Sequence, residues 1–188
     1  MRYISQRELE HIFRDSGATA FIGHTDYIKE AKPILDATPG IKVRIVDGDN
    51  PPEGFTPLQG LYDNTGEHHT YPADSKDPWI VMYTSGTTGL PKGAVLTHYN
   101  LMSDAEAIAA VRYTEPKDVV ISVLPLFHCY GQTHSLNISI LLGLTMLMFE
   151  KFETDKVFAA IEEEDSTILY AVPTMVNISG RDGCSYCT

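Results

Sequence analysis

The chain has 188 residues and a formal net charge of -11, from 25 acidic residues against 14 lysines and arginines. That balance disfavours nucleic acid or an anionic membrane as a partner. A hydrophobic content of 43% with 21% charged residues is that of an ordinary soluble globular chain, long enough for one large domain or two small ones.

Met1 to Glu8 contains no apolar h-region, which predicts that no signal peptide is present. Ser5-Gln6-Arg7-Glu8 is a capping box and predicts a helix to about Asp15, with Leu9, Ile12 and Phe13 on one face. Gly17 closes that helix, and Thr19 to Ile22 reads as a short strand. A helix over Tyr27 to Leu35 precedes a second strand, Val43 to Val46. From Asp47 to Asp77 periodicity is lost. Four prolines and four glycines predict a long surface connection there, with a short helix near Leu58 to Tyr62. This connection, and a second point near Leu124, are candidate subdomain junctions.

Alternation then resumes. Ile80 to Tyr83 and Ala94 to Leu96 read as strands around a glycine-rich loop, and His98 to about Val111 as a helix capped by its first residues. Val119 to Leu124 is a strand of β-branched residues, Tyr130 to Leu142 a helix and Thr145 to Phe149 a strand. Thr154 opens another helix. Thr167 to Val172 is a strand stopped by Pro173, followed by a helix over Thr174 to Ile178. The longest apolar stretch, Ile138 to Phe149, is divided by Gly143 and falls short of the roughly 20 residues a membrane helix needs. Strands alternating with helices predict an α/β fold with layered, largely parallel sheets and helices on both faces.

The end of the chain is different. Gly180 to Thr188 has no apolar spacing that would extend the preceding helix and reads as a tail foreign to the fold. Its Cys184-x-x-Cys187 lacks a second ligand pair and the strand-to-helix context of a redox site. The three cysteines make no disulfide framework, and the expected location is cytoplasmic.

Tyr83-Thr84-Ser85-Gly86-Thr87-Thr88-Gly89-Leu90-Pro91-Lys92-Gly93 is the most informative segment. Glycines let backbone N–H groups approach phosphate oxygens, while hydroxyls and an ammonium supply further donors. No Asp or Glu occurs from Pro78 to Ser103, whereas Lys92 and His98 both do. An anion feels that local field, because charges beyond about 8 Å are largely screened at physiological salt. A Walker A reading fails: with Lys92 as its lysine, Pro91 replaces the second glycine and Gly93 the magnesium-binding hydroxyl. The G-x-G-x-x-G spacing is also absent. On residues alone, a phosphate cradle and a Gly/Thr-rich turn holding no ligand both remain open.

The same eleven residues resemble the signature of the adenylate-forming superfamily, which includes acyl- and aryl-CoA synthetases, luciferases and peptide-synthetase adenylation domains. Pro125-Leu126-Phe127-His128-Cys129-Tyr130-Gly131 resembles that family's aromatic/His motif, and Ala171-Val172-Pro173-Thr174-Met175 its substrate-pocket strand. Lys151-Phe152-Glu153 is a further similar stretch, and the similarity runs from about Ser5 to Ile178. The loop is closest in character to the acyl- and aryl-CoA ligase branch, with a fatty-acid CoA ligase as the leading expectation.

The resemblance implies ATP, Mg²⁺ and CoA as cofactor and co-substrates, with a small-molecule carboxylic acid as the substrate. A carboxylate would attack the α-phosphorus of ATP, releasing pyrophosphate, and the acyl group would pass to the CoA thiol. Thr84, Ser85, Gly86, Thr87, Thr88 and Gly89 would cradle the β- and γ-phosphates, Lys92 would add catalytic positive charge, and Thr84 would contact Mg²⁺. His128 would lie beside the reacting carboxylate as a positioning hydrogen-bond donor. The family's later Gly-x-Thr-Glu and Thr-Gly-Asp segments and its lysine-bearing C-terminal domain have no counterpart in residues 1–188. Residues 1–179 are therefore expected to be part of an N-terminal AMP-binding domain that is inactive alone.

Overall fold

The computed structural model describes residues 5–63, 65–67, 69–84 and 89–176, and the chain divides into two compact units, Met1–Leu96 and Thr97–Thr188. The tail from Gly180, with its cysteine pair, and the end of the helix expected from Thr174 lie outside the described residues.

In the first unit, α1 (Gln6–Asp15) opens on the predicted capping box. The Glu8 N–H donates to Ser5 Oγ at 3.3 Å, and the Ser5 N–H donates back to Glu8 Oε2 at 2.9 Å. Two of the orphan donors at the helix start are thereby satisfied. β1 (Ala20–His24) leads into α2 (Thr25–Asp36) and β2 (Val43–Asp47). β1 and β2 pair in parallel, with Ile22 opposite Ile45.

A third strand, β3 (Thr56–Pro57), adds to β2 in parallel inside the stretch that reads as pure connection. It is two residues long and ends in proline, so no strand pattern announces it. The Leu58 N–H donating to the Val46 carbonyl at 2.8 Å extends the pairing. α3 (Gln59–Tyr62) follows, where a short helix is expected.

Helix faces meet the sheet through Phe13, Ile28, Ala31, Ile34, Leu35, Ile41, Val46 and Phe55. Arg44 closes the end of α2, donating to Asp36 Oδ1 and to the Leu35 carbonyl, both at 2.6 Å. Hydrogen bonds from Lys32 and then Arg44 hold the Asp36 carboxyl below its usual range. Leu35 is fully buried, so Leu35→Ala is expected to destabilise the chain by about 3 kcal/mol, read as a lower urea midpoint at unchanged slope. The unit ends with β4 (Pro78–Thr84) and β5 (Lys92–Thr97), hydrogen-bonded neighbours in a separate two-stranded sheet.

The second unit opens with α4 (His98–Arg112), capped by Thr97 and Asn100 in a reciprocal box. Its sheet is parallel, with β6 (Val119–Ser122) between β7 (Thr145–Met148) and β8 (Ile168–Leu169). Successive side chains of a strand point to opposite faces, and β6 shows the consequence. Val120 joins a cluster with Leu124, Tyr170 and Tyr130, while Ile121 joins one with Val123, Val157, Ala160 and Ile161. The first cluster lies under the helical run that starts at Cys129, the second under α7 (Thr154–Glu163). Both faces are covered, as a parallel sheet requires.

The α/β expectation thus holds in both three-stranded sheets. Among the described residues, no helix is long and apolar enough to cross a membrane.

Candidate functional site

The glycine-rich segment forms the connection of a hairpin. Residues 85–91 join β4 to β5, far fewer than the dozen or so a parallel crossover needs, so these paired strands are antiparallel. The hairpin also separates the segment from a Walker A loop a second time. That loop runs from strand into helix, whereas Lys92 opens a strand.

Thr84 is the exposed last residue of β4, and Lys92 is the exposed first residue of β5. Gly89 has φ 146°, a backbone conformation that side-chain-bearing residues rarely adopt. The structure therefore brings Thr84, Gly89 and Lys92 into one hairpin. Ser85, Gly86, Thr87 and Thr88 lie outside the described residues.

Both stems of this hairpin touch α1. The Tyr83 hydroxyl donates to Asp15 Oδ2 at 2.7 Å, and His11 Nε2 lies 2.9 Å from the Pro91 carbonyl oxygen. The His11 and Tyr83 rings meet edge to face, with centroids 6.3 Å apart. Removal from solvent, reinforced by the Asp15 carboxylate, pushes the Tyr83 phenol up to about 12, so it stays a donor at neutral pH. These contacts are silent in the sequence, where His11 and Asp15 read as the polar face of an amphipathic helix.

His128 belongs to the second unit. It caps α5 (Cys129–Gly131), and its Nδ1 accepts the Tyr130 N–H at 3.2 Å. When the ring is neutral, that bond puts its proton on Nε2. The backbone fixes the residue from both sides. The His128 N–H donates to the Pro125 carbonyl at 3.0 Å, and the His128 carbonyl accepts from the Gln132 N–H at 2.9 Å. The side chain itself is exposed, with Cys129 Sγ 3.8 Å from Nδ1. The result is a solvent-facing imidazole with a preset donor atom.

The helix after His128 departs from the expected plain α-helix. α5 passes into a π-helical segment, Gln132–Asn137, and then into α6 (Ile138–Leu142). Gln132, Thr133, Ser135, Asn137 and Ser139 are buried on this run. A widened turn of this kind is often found at functional sites. His134 sits between Tyr130 and Tyr170, with ring centroids 4.4 and 5.3 Å away. Burial, then the nearby Arg112 charge, lowers its pKa, so it is neutral at physiological pH. Nothing in the residue pattern of this run marks the π turn.

A family model described as AMP-binding enzyme matches residues 3–182. The chain is 32% identical over 182 residues to 4-coumarate–CoA ligase 3 of Arabidopsis thaliana, spanning 93% of this chain and 32% of that protein. It is 38% identical over 98 residues to a long-chain-fatty-acid–CoA ligase of Bacillus subtilis (strain 168), covering 51% of this chain and 18% of the relative. Among solved structures, apo MatB from Rhodopseudomonas palustris superposes with a TM-score of 0.82 at 25% identity, over 96% of this chain and 35% of that one. The chain thus spans about a third or less of the length of these relatives.

Proposed function

This chain belongs to the AMP-binding enzyme family, and from that premise we propose that it is the phosphate-binding part of an ATP-dependent acyl-CoA ligase. The observation that carries the reading is the motif Thr84 to Lys92 set in a hairpin, with the lysine opening the return strand. Both reactants of adenylate formation are anions, so phosphate charge must be offset before a carboxylate can approach the α-phosphorus. Thr84 to Gly89 supply hydroxyl and backbone donors for the β- and γ-phosphates, and Lys92 supplies the charge. In-line displacement then depends chiefly on positioning.

His128 is proposed to hold the reacting carboxylate through Nε2–H, the atom left free by the Nδ1 bond to Tyr130. Mg²⁺ would enter with ATP. Magnesium is commonly held by one or two carboxylates together with substrate phosphates, and among the described residues no group of three His, Cys, Asp or Glu assembles. From this chain, the Thr84 hydroxyl is the proposed contact. Residues 1–179 are assigned to a partial N-terminal domain, with junctions near 47–77 and near 124. A fatty acid is the proposed substrate, as the name of the Bacillus relative suggests, and an aryl acid, as for the Arabidopsis relative, is the alternative. Fatty-acid metabolism and a cytoplasmic location belong to the same proposal.

The test is pyrophosphate release from ATP with a panel of fatty and aryl carboxylic acids, on the full-length protein and on this chain alone. Turnover by the full-length protein, fastest with fatty acids and absent from the chain alone, is expected. A full-length protein that releases no pyrophosphate with any acid would overturn the ligase reading. Turnover by residues 1–188 would overturn the claim that they are only part of the site.

A further inference from the structure

We propose that α1 is a positioning clamp for the phosphate loop, with His11 and Asp15 holding the loop's two stems in register. The inference rests on the phosphate reading of Thr84 to Lys92. His11 and Asp15 are four residues apart on α1 and so share one face. Asp15 accepts from Tyr83, the residue before Thr84, at 2.7 Å. His11 meets the carbonyl of Pro91, the residue before Lys92, at 2.9 Å. One helix turn therefore touches the chain as it enters the loop and again as it leaves.

The second contact bears directly on the charge. The Pro91 carbonyl and the Lys92 N–H belong to one planar peptide unit. A donor on that carbonyl sets the plane from which the lysine departs. His11 can serve in either charge state, because Nε2–H is available in the imidazolium and in one neutral tautomer.

The first contact depends on a glycine. A Cβ on Gly93 would lie 2.7 Å from Val81 Cγ1 and 3.0 Å from Tyr83 Cζ. The phenol ring lies over the space a side chain would fill, and from there its hydroxyl reaches Asp15. Ends held in advance at Tyr83 and Pro91 reduce the conformational freedom that phosphate binding must remove. His11 and Asp15 touch no substrate in this scheme, and they act through Pro91 and Tyr83.

The test uses the full-length protein in ATP–pyrophosphate exchange, with His11→Ala, His11→Gln, Tyr83→Phe and, as reference, Lys92→Ala. His11→Ala and Tyr83→Phe are each expected to raise KM for ATP about fivefold, the equivalent of one hydrogen bond. KM for the carboxylic acid should hold, and His11→Gln should recover most of the loss. Hydrogen exchange without nucleotide gives a second readout: amides of 84–92 should exchange faster in His11→Ala, while those of α2 and β2 stay as in the parent. If Lys92→Ala raises KM for ATP but His11→Ala and Tyr83→Phe do not, the clamp is refuted and the phosphate loop stands. If Lys92→Ala has no effect, the phosphate reading fails. The exchange arm then decides alone, and unchanged or uniformly raised exchange refutes the clamp.

Discussion

Lys92→Ala in the full-length protein is expected to lower kcat/KM for ATP about a hundredfold, the scale of removing one charge-stabilising donor from a polar transition state. Lys92 begins β5 and is exposed at the hairpin connection. Along the chain, no acid lies between Pro78 and Ser103 to offset it. Tertiary structure brings Asp15 to the same hairpin, where its carboxylate oxygen accepts from the Tyr83 hydroxyl at 2.7 Å. Lys92→Arg keeps the charge and should retain a substantial part of the rate. KM for the carboxylic acid should change little in either variant. Steady-state exchange kinetics with ATP and acid varied separately would check this. An equal rise in KM for both substrates would place the lysine elsewhere than on the phosphates.

Gly131→Ala is expected to be the most damaging single-methyl change in the second unit. A Cβ there would run into the Pro125 carbonyl oxygen, with the Pro125 carbonyl carbon at 3.0 Å and the Leu124 carbonyl oxygen at 3.1 Å. All three are backbone atoms, so no side-chain rotation relieves the clash. The start of the helical run must instead move away from residues 124–125. His128 is bonded to both parts, through Pro125 and through Gln132.

Overpacking of this kind costs about 1–3 kcal/mol, and a shift near 1 Å in a positioned group can cost about a hundredfold in rate. Gly60→Ala is the control: no heavy atom beyond its own helical turn and chain neighbours lies within 4 Å of the added Cβ, and stability should change by less than about 0.5 kcal/mol. Thermal unfolding together with the exchange assay checks both. A Gly131→Ala variant with parental Tm and rate would show that the turn at His128 tolerates the extra methyl.

Much of the fold is legible because it is encoded over short distances. The capping box at Ser5 and Glu8 forms as read, since donor and acceptor lie three residues apart. The Val119 to Leu124 run is rich in β-branched residues, and β6, which forms from its first four residues, is buried on both sides. Other features escape local pattern. β8 keeps only Ile168–Leu169 of the longer strand expected over Thr167 to Val172. Tyr170 is instead buried beside Val120, Leu124 and Tyr130. β3 and the π-helical segment are likewise products of neighbours. Pairing with Val46 makes a strand of Thr56–Pro57, and no residue in Gln132–Asn137 demands a wider turn.

The sequence by itself determined which residues are proposed to carry the chemistry. The hydroxyls, glycines and lysine of 84–92, and the histidine at 128, are functional groups whose identity is covalent and whose order along the chain is readable. Tertiary structure alone decided how those groups are held. The loop connects an antiparallel hairpin, and its stems rest on His11 and Asp15, about seventy to eighty positions away along the chain. Which nitrogen of His128 is free follows from a backbone N–H two residues on. A hydrogen bond across such a distance leaves no periodicity behind, because its partners are set by the packing of whole elements.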